Sequence, residues 1–366
     1  MRLKVVLLVA LVAALCAADA GAALEPTRLY FGVDQPVTLR VVGSVEGDRT
    51  IALIEGGTGR VLGERAVTLA DDGIVDLSAM FGDVLGGVGR RQVLYAQEMV
   101  GGEAAGAPVV IEPMLTPRVA MDGRTAAIVA AFNSGDREAM ETLRGMSEEQ
   151  MGTLAGQVVW REPAVRVCAG FRVYSDRFVE IETSLGVMTI AMRPDAAPNT
   201  CFEIRGLVGG GFYTGVPFHR IVPADRYGRP FVVQAGDPGG TGDGTPGFSI
   251  DFEPSGLGHD FGVVSMAREL DDPNSNGSQF FIGLSREGCA RLDGRFVAFG
   301  EVVGGVDVLN AIAAVPVGLR DPEDAGSAMD RPLDPPMIVG ARLVEATPIT
   351  ARPARVTREE AAGVER

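Results

Sequence analysis

Apolar and polar residues alternate along much of this chain, and the alternation predicts a protein built mainly of β-strands. Between residues 25 and 114, short β-rich runs are separated by turn residues, as in Val37–Val42, Thr50–Ile54 and Gln92–Ala96. Regularly spaced short strands with glycine-rich turns favour an immunoglobulin-like β-sandwich, which we assign to residues 24–114. This domain contains no catalytic constellation, so we interpret it as a spacer or as a docking module for a protein partner.

Residues 115–176 follow a helical period and then return to strand. Asp136 is placed to cap one helix, and Ser147 with Gln150 forms a capping box for a second helix. The apolar run Val158–Trp160 then predicts a strand. We therefore expect a connector made of a helical hairpin and a strand.

A second β-rich domain is predicted over residues 177–346. Phe178–Thr183 and Gly186–Met192 alternate with a period of two around a tight turn, which predicts an antiparallel hairpin. Pro198 suits the first turn of one helix, and a second short helix follows late in the domain. Several antiparallel strands with only two helices favour a closed β-barrel whose ends the helices cap. The charged residues 347–366 are predicted to form a disordered tail.

Within this second domain, polar side chains share strand faces with aromatic residues. Arg220 shares a face with Phe218, Gln234 shares one with Val232, and Gln279 shares one with Phe281. Ordinary core strands avoid such polar groups because each of them needs hydrogen-bond partners. The pattern is typical of a shallow apolar pocket with a few convergent polar groups.

The N-terminus has the pattern of a secretory signal peptide, assigned to residues 1–20. A basic start is followed by the apolar run Val5–Leu15 and by small-residue cleavage sites that end at Ala20 or Ala22. An uncleaved membrane anchor is disfavoured because the apolar run is shorter than the usual span of about 20 residues. A lipoprotein site at Cys16 is disfavoured by the bulky residue before it. We expect an exported protein, periplasmic or secreted, with no stable membrane insertion after cleavage.

Composition excludes several function classes. The chain is 46% hydrophobic and 22% charged, with a formal net charge of −15, so its surface repels nucleic acid. The two histidines, His219 and His259, form no Cys or His cluster at metal-ligand spacing, so we expect no zinc or other metal site built by the protein. After removal of the signal peptide, Cys168, Cys201 and Cys289 remain, which allows one internal disulfide at most.

Several long runs, in the right order, resemble the cyclophilin family of peptidyl-prolyl cis-trans isomerases over residues 177–346. The matching runs are Phe218–Pro223, Phe231–Pro238, Gly262–Ala267, Asn276–Ile282 and Leu292–Gly300. The resemblance implies an eight-stranded antiparallel β-barrel capped by two helices. It also implies an enzyme that accelerates rotation about X-Pro peptide bonds of proline-containing polypeptides, without a cofactor.

The resemblance further implies a role for individual residues. Arg220 would donate a hydrogen bond to the prolyl nitrogen, Gln234 would brace Arg220, and Phe281 would help to seat the proline ring. The implied substrate contacts are Phe231, Val232, Met266, Ala267, Arg268, Gln279, Leu292 and Phe296. Among them, Ala267 and the backbone of Arg268 would pair with the peptide that flanks the proline.

The chain departs from the family pattern around this pocket. Residues 224–230 form an insertion, Arg291 replaces a residue that is often aromatic, and Phe296 replaces a hydrogen-bonding ring. These departures predict a lower efficiency or an altered peptide preference. They also leave open an alternative function, that of a proline-segment-binding chaperone or docking module with little or no turnover.

Overall fold

The computed structural model describes residues 23–43, 47–68, 73–161, 166–324 and 326–358, which form two compact units. The first unit comprises the chain up to Leu115 together with Cys168–Asp176 and Ala346–Arg352. The second unit comprises Thr116–Val167, Arg177–Glu345 and the chain from Pro353 onward. The predicted signal peptide lies outside the described residues. No helix in the described ranges is long and apolar enough to span a membrane.

The strands, in chain order, are β1 (Ala23–Pro26), β2 (Tyr30–Gly32), β3 (Thr38–Val42), β4 (Arg49–Glu55), β5 (Val61–Ala66), β6 (Ile74–Asp76), β7 (Leu94–Val100), β8 (Glu103–Leu115), β9 (Val119–Asp122), β10 (Val158–Arg161), β11 (Cys168–Ser175), β12 (Arg177–Thr183), β13 (Gly186–Met192), β14 (Val216–Pro217), β15 (Arg220–Val222), β16 (Val232–Ala235), β17 (Val263–Met266), β18 (Phe280–Gly283), β19 (Ala298–Gly304), β20 (Val317–Leu319), β21 (Met329–Pro332) and β22 (Met337–Glu345). The α-helices are α1 (Leu77–Gly86), α2 (Gly123–Ser134), α3 (Arg137–Arg144), α4 (Glu148–Ala155), α5 (Pro198–Gly209), α6 (Arg286–Cys289) and α7 (Val306–Ala313).

The first unit contains two antiparallel sheets that share one hydrophobic core. The smaller sheet has the order β1-β3-β6, and the larger has the order β2-β11-β8-β7-β4-β5. Buried residues of both sheets, such as Leu39 and Ile51, belong to the same cluster. The immunoglobulin-like sandwich expected within residues 24–114 is not confirmed, because a central strand of the larger sheet, β11, comes from outside that range.

The segment expected to be a disordered tail makes specific contacts through residue 356. In the first unit, the backbone N–H of Ile349 donates to Oε1 of Gln97 at 2.9 Å. In the second unit, Val356 is buried and its N–H donates to the Val302 carbonyl at 2.9 Å. Residues 346–356 therefore contribute to both units, since their backbone donors find fixed acceptors.

The second unit is built on a nine-stranded antiparallel sheet with the order β14-β22-β12-β13-β19-β17-β18-β16-β15. Its two edge strands, β14 and β15, are consecutive in the chain and are separated by Phe218 and His219. The expected closed barrel of eight strands is thus corrected to an open, nine-stranded sheet. The two helices expected in this domain, α5 and α7, bury apolar residues such as Ile204 and Leu309 in its core.

The predicted connector is divided between the units. Its strand β11 joins the first unit, whereas α2, α3 and α4 belong to the second. The Asp136 cap and the Ser147–Gln150 capping box are both present. The sequence reading missed helix α2, whose apolar residues are mostly alanines and give little periodicity. The connector packs within the second unit, where the Trp160 and Phe252 rings lie 5.3 Å apart.

A buried carboxylate caps helix α5 from a distant part of the chain. The residue before the helix, Ala197, has no side chain able to cap it. Glu253 instead accepts from the backbone N–H groups of Asn199 and Thr200 at 3.0 and 2.8 Å, and from the side chains of both residues. Its negative charge lies at the positive end of the helix dipole, which adds to the stabilisation.

We expect Glu253→Gln to lower the free energy of unfolding by about 2 kcal/mol, because a neutral amide replaces charge-assisted acceptors. Urea unfolding and hydrogen exchange of the α5 amides would measure the loss. The matched control is Glu345→Gln, on the exposed face of β22. Unchanged exchange in α5 would contradict this role of Glu253.

Candidate active site

Polar and aromatic side chains of the second unit meet in one open cleft of about 690 Å³. Strands β15, β16 and β18 supply one wall, and the loops that follow β16, β17 and α6 supply the others. The sequence-predicted residues that line the cleft are Arg220, Phe231, Val232, Gln234, Ala267, Arg268, Phe281, Leu292 and Phe296. Gln279 lines an adjoining pocket that shares Gln234 with the cleft.

The strand register brings the polar wall together. Gln234 is paired with Arg220 on one side and with Phe281 on the other. Directly paired residues of antiparallel strands point to the same face of the sheet. Residues far apart in the chain therefore form one row across the sheet.

A chain of side-chain hydrogen bonds runs along this wall. Nη1 of Arg220 donates to Oε1 of Gln234 at 3.1 Å, and Nε2 of Gln234 donates to Oε1 of Gln279 at 3.0 Å. Nε2 of Gln279 donates in turn to the carbonyls of Gly242 and Gly244 at 2.7 and 2.9 Å. Because the side-chain amides of Gln234 and Gln279 each use both a donor and an acceptor, this row of hydrogen bonds sets the orientation of each amide.

The sequence reading missed the acidic partner of Arg220. Nε of Arg220 donates to Oδ2 of Asp330 at 2.8 Å, and the Asp330 side chain is buried. Asp330 also accepts from Nε of Arg320 at 3.0 Å and from Nη2 of the same residue. Asp330 lies 110 residues from Arg220 in the chain, so no local pattern could reveal the pair.

An apolar floor lies next to this polar wall. Val232, Phe281 and Leu292 form a buried cluster with Cys289, and Phe231, Ala267 and Phe296 pack against it partly exposed. The Phe281 and Phe296 rings meet edge to face, with centroids 5.7 Å apart. Met266 does not line the cleft: it is fully buried on the opposite face of β17, in the core of the second unit.

The side chain of Arg268 supports the Phe296 wall. Nε and Nη2 of Arg268 donate to the Arg295 carbonyl at 3.1 and 3.0 Å, and the guanidinium lies 4.9 Å from the Phe296 ring centre. Arg295 in turn donates from Nε to the Gly156 carbonyl at the end of α4, at 2.6 Å. The connector therefore takes part in the support of the cleft, which the sequence did not predict.

The insertion over residues 224–230 is organised around one carboxylate. Asp225 accepts from Nη2 of Arg229 at 2.6 Å and from Nη1 of Arg291 at 2.9 Å. The hydrogen bond from Arg229 is the main reason that the pKa of Asp225 lies well below its usual value. Arg291 also covers the Phe231 ring at 4.2 Å. Residues 224–230 do not line the cleft, so Arg220 stays accessible beside the insertion.

A buried histidine lies behind Phe281. Nδ1 of His259 is 3.0 Å from Oδ1 of Asp293, and Nε2 is 3.0 Å from Oγ of Ser265. The imidazole stacks on the Phe281 ring, with centroids 5.8 Å apart. Ser265 is fully buried, so this Ser-His-Asp arrangement has no nucleophile that a substrate can reach. Burial lowers the pKa of His259 in spite of the nearby Asp293 carboxylate.

Within the described ranges, no group of three or more His, Cys, Asp or Glu side chains is placed to hold a metal ion. Cys168, Cys201 and Cys289 form no disulfide with one another. The cleft offers hydrogen-bond donors, the Arg220 guanidinium and an apolar floor.

A family model for "Cyclophilin type peptidyl-prolyl cis-trans isomerase/CLD" matches residues 178–342. The chain is 36% identical over 174 residues to "Peptidyl-prolyl cis-trans isomerase-like 1" of Aspergillus niger, and this match covers 46% of this chain and 96% of that protein. It is 38% identical over 168 residues to "Peptidyl-prolyl cis-trans isomerase ppi1" of Schizosaccharomyces pombe, covering 44% of this chain and 96% of that protein.

Among solved structures, the chain is similar to a cyclophilin type peptidyl-prolyl cis-trans isomerase of Cryptosporidium parvum, crystallised in the presence of the dipeptide ala-pro. The identity is 30%, the TM-score is 0.39, and the match covers 46% of this chain and 98% of that one.

We expect the stability of the protein to rise with pH between the lowered pKa of His259 and about 6.5, the pKa in an unfolded chain. In that range the unfolded state binds a proton that the native imidazole does not, so acidification favours unfolding. Urea unfolding from about pH 5 to about pH 8 would measure the slope.

The comparison is His259→Gln, whose free energy of unfolding should rise less steeply with pH than that of the wild type. A smaller rise remains in the variant because burial also lowers the pKa of His219. An identical slope for both proteins would contradict a neutral native His259.

Proposed function

The chain belongs to the cyclophilin-type peptidyl-prolyl cis-trans isomerase family, and on that basis we propose that its cleft accelerates rotation about X-Pro bonds through a hydrogen bond from Arg220 to the prolyl nitrogen. The substrates are proline-containing segments of polypeptides. The observation that carries the proposal is a guanidinium fixed at the edge of an apolar floor, with part of its donor set facing the open cleft.

The reaction requires stabilisation of one twisted state and little other chemistry. Amide resonance sets a barrier of about 18–20 kcal/mol to rotation about the peptide bond. In the twisted state this resonance is lost and a lone pair develops on the prolyl nitrogen. A donor that meets this lone pair stabilises the transition state more than either planar state, which lowers the barrier.

Arg220 has the donors that this step needs. Its Nε donates to Asp330 and its Nη1 donates to Gln234, whereas Nη2 makes no hydrogen bond to the part of the chain that the structure describes. The side chain is 33% exposed, so a bound peptide can reach it. Gln234 and Asp330 limit rotation of the guanidinium, which preorganises Nη2 for the substrate.

The apolar floor suits a proline ring. Phe281 and Leu292 are buried at its base, and Phe231 and Phe296 stand at its sides with part of their surface exposed. A pyrrolidine ring placed there removes apolar surface from water without leaving a polar group unpaired. Arg291 sits over Phe231 and so narrows one side of the floor. We propose that this contact and the absence of a hydrogen-bonding ring at Phe296 set the peptide preference.

We expect Arg220→Ala to lower kcat/KM by about 10²- to 10³-fold, the usual range for loss of a transition-state donor. Arg220→Lys should recover little, because a single ammonium cannot contact Gln234, Asp330 and the substrate together. The measurement is a protease-coupled or exchange-NMR isomerisation assay with an Ala-Pro peptide and the full chain. The matched control is Arg137→Ala, on an exposed part of the connector.

The same assay separates catalysis from binding without turnover. If the wild type is no faster than Arg220→Ala, the catalytic proposal fails. If in addition both proteins bind the peptide with equal Kd, the protein acts as a proline-segment-binding module, the alternative that the sequence left open.

We also propose that the protein is exported, on the basis of the apolar run Val5–Leu15 and the cleavage sites that follow it. Expression of the full chain in a bacterial host should give a periplasmic or secreted product that begins at Gly21 or Ala23. Leu8→Arg, which breaks the apolar run, should retain the product inside the cell, whereas Asp34→Arg should not. N-terminal sequencing of the fractions decides the matter, and an uncleaved cytoplasmic wild type would refute export.

A further inference from the structure

The hairpin formed by β20 and β21 contains a register shift at Asp330, which lines the cleft. The pairing register runs from Gly318 opposite Arg331 to Leu319 opposite Met329, so Asp330 is the extra residue of a β-bulge. A bulged residue leaves the alternation of its strand, which re-aims its side chain. In this hairpin the bulge directs a buried carboxylate at Nε of Arg220.

Two arginines share the carboxylate of Asp330. Oδ2 accepts from Nε of Arg220 and from Nη2 of Arg320, and Oδ1 accepts from Nε of Arg320 at 3.0 Å. Two cations and one anion leave a net charge of +1 on the group. Because Arg320 takes up two of the three contacts, the carboxylate orients Arg220 without cancelling its positive charge.

Asp330 and Gln234 hold Arg220 from two sides. The carboxylate takes Nε and the amide takes Nη1, so the plane of the guanidinium is set by two acceptors on different strands. With only one acceptor the guanidinium could rotate about the remaining hydrogen bond. The direction of Nη2 would then vary, and the alignment with the substrate nitrogen would be lost for part of the time.

We propose that Asp330 is a positioning residue for the isomerase reaction and that Arg320 is its charge-balancing partner. The inference rests on the proposed role of Arg220. Asp330 acts on the orientation of Nη2 and does not touch the substrate, so its loss affects the chemical step more than peptide binding.

The test compares kcat and KM of the full chain for Asp330→Asn and Asp330→Glu. We expect Asp330→Asn to lower kcat by about tenfold and to change KM by less than about twofold, since orientation and not binding surface is lost. Asp330→Glu keeps the carboxylate and should recover part of kcat. Arg320→Gln should lower kcat by a smaller factor. The matched control is Asp334→Asn, an exposed aspartate just beyond the hairpin, which should behave as the wild type.

A double-mutant cycle separates this role from a merely structural one. In an Arg220→Ala background, Asp330→Asn should change kcat/KM by less than about twofold, because the residue that it positions is gone. An equal loss in both backgrounds, or a wild-type kcat for Asp330→Asn, would overturn the inference while Arg220 keeps its proposed role. Equal activity of wild type and Arg220→Ala would instead overturn the proposed function, and the inference with it.

A second readout does not depend on activity. The Nε–H proton of Arg220, followed by NMR, should exchange slowly with solvent in the wild type and in Asp334→Asn. It should exchange faster in Asp330→Asn. If Asp330→Asn also unfolds the hairpin, seen as lost protection of the β20 and β21 amides, Arg320→Gln provides the comparison. Unchanged Nε–H exchange in both variants would show that Asp330 does not fix Arg220.

Discussion

The proposed mechanism depends on holding the Arg220 guanidinium in one orientation while part of it remains able to bind the substrate. A mobile arginine at a surface is a poor catalyst, because the entropy of its long side chain must be lost when it meets the substrate. An arginine fully paired on all sides would have no donor left. Arg220 lies between these limits: Asp330 and Gln234 accept hydrogen bonds from its Nε and Nη1, and Nη2 makes no hydrogen bond to the described part of the chain.

This arrangement depends on long-range strand pairing. Arg220 and Gln234 are 14 residues apart, Gln234 and Gln279 are 45 apart, and Arg220 and Asp330 are 110 apart. A register slip of one residue in β16 would turn Gln234 to the opposite face and break the chain of hydrogen bonds. The fully buried side chains on the other face of these strands, such as Val233 and Ile282, oppose such a slip.

Segments outside the nine-stranded sheet support the edge of the cleft. The insertion at residues 224–230 binds Arg291 through Asp225, and the connector binds Arg295 through the Gly156 carbonyl. Both arginines are adjacent in the chain to residues of the apolar floor, so these segments support the floor without lining the cleft. A neutral His259 behind Phe281 completes the support, because a charged imidazole there would have to be desolvated.

The sequence by itself determined the local features of this protein. Period-two alternation located most strands of the second unit. Asp136 and Ser147 marked the starts of helices α3 and α4. The sequence runs around Arg220, Gln234 and Phe281 identified the family. These features are readable because neighbours in the chain set propensity, capping and the face on which a side chain lies.

Only the tertiary structure decided which distant residues meet. It placed β11 in the first unit, Glu253 at the start of α5, Met266 in the core and Asp330 against Arg220. Each of these outcomes depends on contacts between segments far apart in the chain. Their partners are selected by the packing and pairing of whole strands, and a pattern within one segment does not contain that information.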